Sequence, residues 1–174
     1  GLPTDVKTEW VFSDYSDEFD PKIEKEVKDI VKAYKLFAKK YKNKAFLKTV
    51  KGMLQALVDY EKLVEKATWK SIYYLVLRKT TETGNLKLEA EINRLNDMAQ
   101  EAVKEVLFFG ISISKLDLQK QKRYLKDESL KKYRYLLKTW FDEGKYTLSE
   151  AEEKILTDKS TVAHDAWVSA QERY

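Results

Sequence analysis

Between Leu88 and Ile113 the chain reads L-E-A-E-I-N-R-L-N-D-M-A-Q-E-A-V-K-E-V-L-F-F-G-I-S-I, with apolar side chains at Leu88, Ile92, Leu95, Ala99, Ala102, Val106, Phe109 and Ile113. Steps of three and four residues return to one face of an α-helix, whereas a half-buried strand alternates by two. The same alternation is the spacing with which antiparallel helices pack side by side. No segment sustains a period of two, so the fold is expected to be all-α: an elongated antiparallel bundle of six or seven helices.

Working outward, Thr81 to Asn85 breaks the pattern on the N-terminal side, with Gly84 as terminator and Asn85 as cap of the next helix. Before it, Asp20 and Pro21 mark a helix start, because an aspartate accepts from free N–H groups and proline fits the first turn. Ile23, Val27, Ile30, Tyr34, Phe37 and Tyr41 then form one stripe about six turns long. A second stripe begins at Phe46 and Leu47 and runs through Val50, Leu54, Leu57, Val58, Tyr60, Leu63 and Val64. Trp69, Ile72, Tyr73, Leu75, Val76 and Leu77 cover more than one face, as a central helix requires. The pattern leaves open whether residues 46–80 are one bent helix or two.

On the C-terminal side, Asp117 is expected to cap a short helix through Leu125. Another helix is expected from Leu130 to Phe141, ending before Gly144. Ser149 and Glu152 fit a capping box opening a last helical region, with Ile155, Leu156, Ala163, Trp167 and Ala170 as its apolar side. Residues 1–19, with Trp10, Val11, Phe12 and Tyr15, are expected to form an extended N-terminal arm, and residues 20–174 the helical domain.

Composition agrees with long helices. Of 174 residues, 43% are apolar and 13% aromatic, while only 5 Gly and 2 Pro interrupt the chain, both prolines before residue 22. Charged residues reach 36% but are mixed in sign, giving a net charge of only +4. The absence of cysteine excludes a disulfide framework, a thiol nucleophile and thiolate metal sites, and fits a reducing, cytoplasmic setting. Purely apolar runs such as Val106–Phe109 are far shorter than a membrane span, and Gly1-Leu-Pro-Thr4 lacks the pattern of a signal peptide.

Little in the sequence carries chemistry. His164 is the single histidine, so a zinc site would need carboxylates to complete it, and Glu152 and Glu153 have no second histidine beside them. No His-Glu-x-x-His pattern occurs. Ser112, Ser114 and Ser149 lack a histidine at recognisable spacing and no Gly-x-Ser-x-Gly elbow or phosphate-binding glycine loop is present. The expectation is therefore no catalytic, metal or cofactor-binding residue in this chain.

Two features remain as candidate surfaces. Lys115 to Lys138 carries six net positive charges, more than the whole chain, with Tyr124, Tyr133 and Tyr135 interleaved. Such a segment suits a nucleic acid, duplex or single strand; the plainer reading is a solvated face whose tyrosines point inward. Trp140, Phe141 and Tyr146, with Trp10, Phe12 and Trp167 nearer the ends, are either core or the seam with another domain.

The C-terminal third carries a family signature. Val106-Leu-Phe-Phe109 with Ser114-Lys-Leu-Asp117, Leu130-Lys-Lys-Tyr133-Arg-Tyr135-Leu136, and Tyr146-Thr-Leu-Ser-Glu-Ala-Glu-Glu-Lys-Ile-Leu156 followed by Ala166-Trp167 resemble, in order and spacing, the N-terminal domain of oligoendopeptidase F-type zinc peptidases, relatives of the thimet oligopeptidases. Trp10-Val-Phe-Ser-Asp-Tyr15 resembles the family's opening segment. The positions that carry the resemblance are Leu107, Phe108, Phe109, Tyr133, Thr147, Leu148, Ser149, Glu150, Glu153 and Trp167, all readable as packing or capping positions. The sequence departs from the family pattern at Lys145-Tyr146 and Val162-Ala163-His164. The resemblance implies a helical N-terminal region followed by a larger domain whose His-Glu-x-x-His helix holds zinc. It implies oligopeptides as substrates, and the catalytic domain of the same polypeptide as partner. On that basis this chain is expected to be inactive alone, forming one wall of the substrate chamber. A free-standing helical interaction module is the alternative.

Overall fold

The computed structural model describes residues 14–145, helices joined by short connections, with no strand among them. The expectation of six or seven helices needs correcting: the described residues form five distinct helices, two of which are broken within their length. Helix α1 spans Pro21–Tyr41, α2 Val50–Lys66 and α3 Lys70–Thr81. Helix α4 comprises Leu86–Glu105 and Leu107–Ser114, here α4a and α4b, joined at Val106. Helix α5 comprises Leu118–Lys126 and Arg134–Glu143, α5a and α5b, joined by a 3-10 stretch at Glu128–Tyr133. The helix expected over Leu130–Phe141 is therefore part 3-10 and part α.

Most helix starts follow capping chemistry. Asp20 accepts from the Lys22 N–H, Asn85 from Leu88 and Asp117 from Lys120, so each satisfies an orphan donor. Thr49 does the same for Gly52 at the start of α2. Residues 46–80 prove to be a short 3-10 turn at Ala45–Leu47 followed by two helices. The break at 67–69 ends with Trp69 in the left-handed region, φ 51°. A β-carbon disfavours that region, and the Trp69 ring is held by burial and by stacking on Tyr34 with centroids 6.1 Å apart.

The core follows the stripes. All eight apolar positions read from Leu88 to Ile113 are buried, as are the six of α1. Phe109, fully buried, is the centre of an aromatic cluster that draws rings from four other segments. Phe37 of α1 meets it edge-on with centroids 5.0 Å apart, Phe46 of the 3-10 turn stacks at 5.0 Å, Tyr60 of α2 stacks at 5.2 Å, and Trp140 of α5b stands perpendicular at 5.8 Å. These offset and edge geometries suit the ring quadrupoles. The bend at Val106 delivers Phe109 to this point.

Helix directions also correct the antiparallel expectation. At one end of α1, Glu24 pairs with Arg94 of α4a at 3.3 Å; toward the other end, Phe37 and Tyr41 meet Phe109 of α4b. The pair with the most extensive packing, α1 and α4, thus runs parallel. Helices α2 and α3 run antiparallel to α1: Asp59 lies at Lys40, and Trp69 at Tyr34 while Arg78 reaches back to Glu18.

Candidate functional site

The serines of α4b are occupied by their own helix. Ser112 Oγ donates to the Phe109 carbonyl at 3.0 Å and Ser114 Oγ to that of Ile111 at 2.6 Å, leaving neither aligned with a base. Among the described residues no group of three His, Cys, Asp or Glu side chains could hold a metal ion. No helix among them is long and apolar enough to cross a membrane. His164, Glu152, Glu153, Ser149, Tyr146, Trp10, Phe12 and Trp167 lie outside the described residues, as do the expected last helix and residues 1–13 of the expected arm. Of that arm, Tyr15 is buried against Tyr74 and donates to Glu26 of α1.

The basic segment Lys115–Lys138 does not present a stacking platform. Tyr124 is buried and donates to the Leu47 carbonyl at 2.6 Å; Tyr133 is buried and donates to Glu61 of α2. Lys132 pairs with the same Glu61 at 2.8 Å. Hydrogen bonds from Lys132 and Tyr133 hold the Glu61 carboxyl below its usual range. Only Tyr135, 85% exposed, is free of the core, against the expectation that all three tyrosines turn inward. Trp140 and Phe141 are buried and belong to the core of this domain.

Two concave surfaces among the described residues have apolar floors. The larger, about 630 Å³, lies between α4b and the 3-10 turn, with Leu47, Leu107, Phe108 and Ile111 as apolar floor. Lys44, Lys104 and Lys115 stand at its rim. Helix α4b is apolar nearly all round, so burying Phe109, Gly110, Ile113 and Ser114 inward leaves Leu107 and Phe108 half-exposed on the opposite side. The signature positions therefore divide: Phe109 and Tyr133 are core, Leu107 and Phe108 line the cleft, and Thr147, Leu148, Ser149, Glu150, Glu153 and Trp167 lie outside the described residues.

The second is a groove of about 300 Å³ between α1 and α2, with Ala33, Leu36, Phe37 and Leu63 on its floor and Lys40, Lys62 and Lys66 on its edges. Its one carboxylate, Asp59, accepts from Lys40 Nζ at 2.6 Å, from Tyr41 and from Gln55. Burial raises the Asp59 pKa, but these hydrogen bonds outweigh it and leave the group below its usual range. Beside the groove, Lys25, Lys28, Lys32, Lys35 and Lys39 run along the outer crest of α1, opposite its buried stripe, all exposed. Residues 22–48 hold ten lysines against three carboxylates, a denser positive charge than that of the segment singled out from the sequence. The three-and-four spacing of those lysines was the signal available for it.

No curated protein and no solved structure matches the chain. Residues 113–172, roughly a third of the sequence, match the family model described as Oligopeptidase F. Over that stretch the chain is similar to the N-terminal region of the oligopeptidase F family, and the match does not extend to a catalytic region.

Proposed function

We propose that the chain is the non-catalytic N-terminal domain of an oligopeptide-cleaving zinc endopeptidase, forming one wall of the substrate chamber and supporting the catalytic domain. The observation that carries this reading is the family match over residues 113–172, a stretch that begins within α4b and covers α5. The cleft over α4b supports it further. A half-exposed Leu107 and Phe108 beside Ile111 form a floor of the kind that buried anchors of a second domain fill. Zinc and the residues that hold it belong, in this reading, to that second domain, and no ligand cluster is offered by the described residues. What this chain contributes is shape and rigidity: a helical wall fixed around Phe109, positioned to restrict which peptides reach the catalytic groups.

The test begins with the purified chain and a quenched fluorescent oligopeptide, where no turnover is expected. The zinc-binding portion of the same reading frame, supplied as a separate polypeptide, is expected to bind the chain. Replacing Phe108 by Asp should weaken that binding on the order of tenfold or more, as for a central interface anchor. Peptidase turnover by the chain alone, surviving a mutational control for contamination, overturns the reading. A reading frame without a downstream His-Glu-x-x-His does the same.

A further inference from the structure

We propose that the groove between α1 and α2 is a docking site for acidic peptide segments bearing large apolar side chains. The inference goes beyond the oligopeptidase reading and does not need a second domain.

Three observations carry it. The floor is incompletely covered: Leu36 is 59% exposed while its neighbours Phe37 and Leu63 are buried. An apolar side chain laid over Leu36 would remove both surfaces from water, a gain proportional to the area covered. The edges are cationic, and of their three lysines only Lys40 is committed, since among the described residues no carboxylate pairs with Lys62 or Lys66. Asp59, the carboxylate within the groove, is saturated by Lys40, Tyr41 and Gln55, so it leaves the groove's excess positive charge in place. Glu26 and Asp29 line a neighbouring pocket that also takes in Lys66, but neither forms an ion pair with it. The lysine crest from Lys25 to Lys39 extends this field for about 21 Å along α1, at 1.5 Å per residue, enough to steer an acidic chain toward the groove.

The same features decide against other polyanions. A duplex would meet the convex crest through phosphates alone and would have no use for an apolar floor. A single strand would need exposed rings to stack on, and the groove's aromatic, Phe37, is buried. An anionic lipid surface is flat and would not enter a trough walled by two helices. An extended or helical peptide places carboxylates and one apolar side chain at the separations that Lys62, Lys66 and Leu36 require.

The probe is a fluorescein-labelled peptide of glutamate and leucine, titrated with the full chain by anisotropy. Saturable binding that weakens with salt is expected. The double substitution Lys62→Glu and Lys66→Glu should weaken it on the order of tenfold or more. Leu36→Ser, or serine for leucine in the peptide, should weaken it several-fold. Reversing Lys122 and Lys126 on α5a, which changes net charge equally, should leave it almost unchanged. All these positions are on the surface, and circular dichroism checks that the variants stay helical. As a second measurement, bound peptide should protect Lys62 and Lys66, but not Lys122 and Lys126, from an amine-acetylating reagent. The proposal is overturned by absence of binding, by equal loss on reversing the α5a lysines, or by failure to protect Lys62 and Lys66. Tighter binding of duplex DNA or phosphatidylserine vesicles at the same salt overturns it as well. None of these results bears on whether a zinc domain exists.

Discussion

A β-carbon on Gly144 would stand 2.1 Å from the Ser114 carbonyl oxygen, closer than any real contact, because α5b ends against the end of α4b. On Gly110 the added carbon would meet the Trp140 ring at 3.4 Å, an ordinary approach. The two glycines therefore differ in kind. Gly144→Ala forces backbone to move and should cost about 1–3 kcal/mol, whereas Gly110→Ala, gaining helix propensity of about 1 kcal/mol against mild crowding, should be close to neutral. Urea unfolding of the two variants beside the parent checks the contrast, and equal loss would contradict the packing of α4b on α5b. Phe109 shows what could be read at this scale and what could not. Its place in the apolar stripe was visible from spacing, because spacing reports which face is buried. Its role as the meeting point of five segments was not, since Phe37, Phe46, Tyr60 and Trp140 lie far apart in sequence and nothing local links them.

At the scale of elements, the starts were more legible than the breaks. Asp20, Asn85 and Asp117 were readable because a short acceptor side chain before an apolar stripe has few better uses than capping. The interruption at residues 67–69 was hidden, because no glycine or proline marks it and a tryptophan in the left-handed region runs against local preference. The 3-10 stretch between α5a and α5b was hidden for a related reason: Asp127 caps Ser129, but over so few residues a 3-10 and an α pattern look alike. Asn85 offers a direct measurement of what such a cap contributes. Its Oδ1 accepts from Leu88 N at 3.1 Å and its Nδ2 donates to Glu82 at 3.1 Å. Asn85→Ala should cost about 1 kcal/mol and Asn85→Gly only a few tenths, as for caps generally. A loss under both substitutions of the same size would place the effect in the Glu82 contact instead, which Gln at position 82 would isolate.

For the whole molecule, periodicity specifies faces but not directions, which is why a parallel α1–α4 pair lay behind a pattern compatible with antiparallel packing. Direction is fixed by what joins the helices, and several of those joints are carboxylates. Glu24 ties α1 to Arg94 of α4a, Asp59 ties α2 to α1, and Glu61 ties α2 to Lys132 and Tyr133. Each has its pKa lowered in the fold: Glu24 by hydrogen bonds from Lys28 and Arg94, Asp59 by its hydrogen bonds against opposing burial, Glu61 by Lys132 and Tyr133. A group whose folded pKa lies below its unfolded value binds a proton more readily when unfolded. Its contribution is therefore complete above the ordinary carboxylate values of 3.8 for Asp and 4.5 for Glu, and is lost as pH falls through the lower folded value. Stability should thus be flat down to about pH 5 and decline steadily below about pH 4. Self-repulsion of a protonated, lysine-rich chain would produce a decline too, so the joints must be separated from net charge. The double variant Asp59→Asn, Glu61→Gln removes two titrating joints while raising positive charge. If the joints dominate, its urea midpoint will be lower at neutral pH but will fall less steeply in acid than that of the parent. If repulsion dominates, it will fall about as steeply as the parent, because the two chains carry the same charge once their carboxyls are protonated, and the account of these carboxylates as the ties that set helix direction loses its energetic basis.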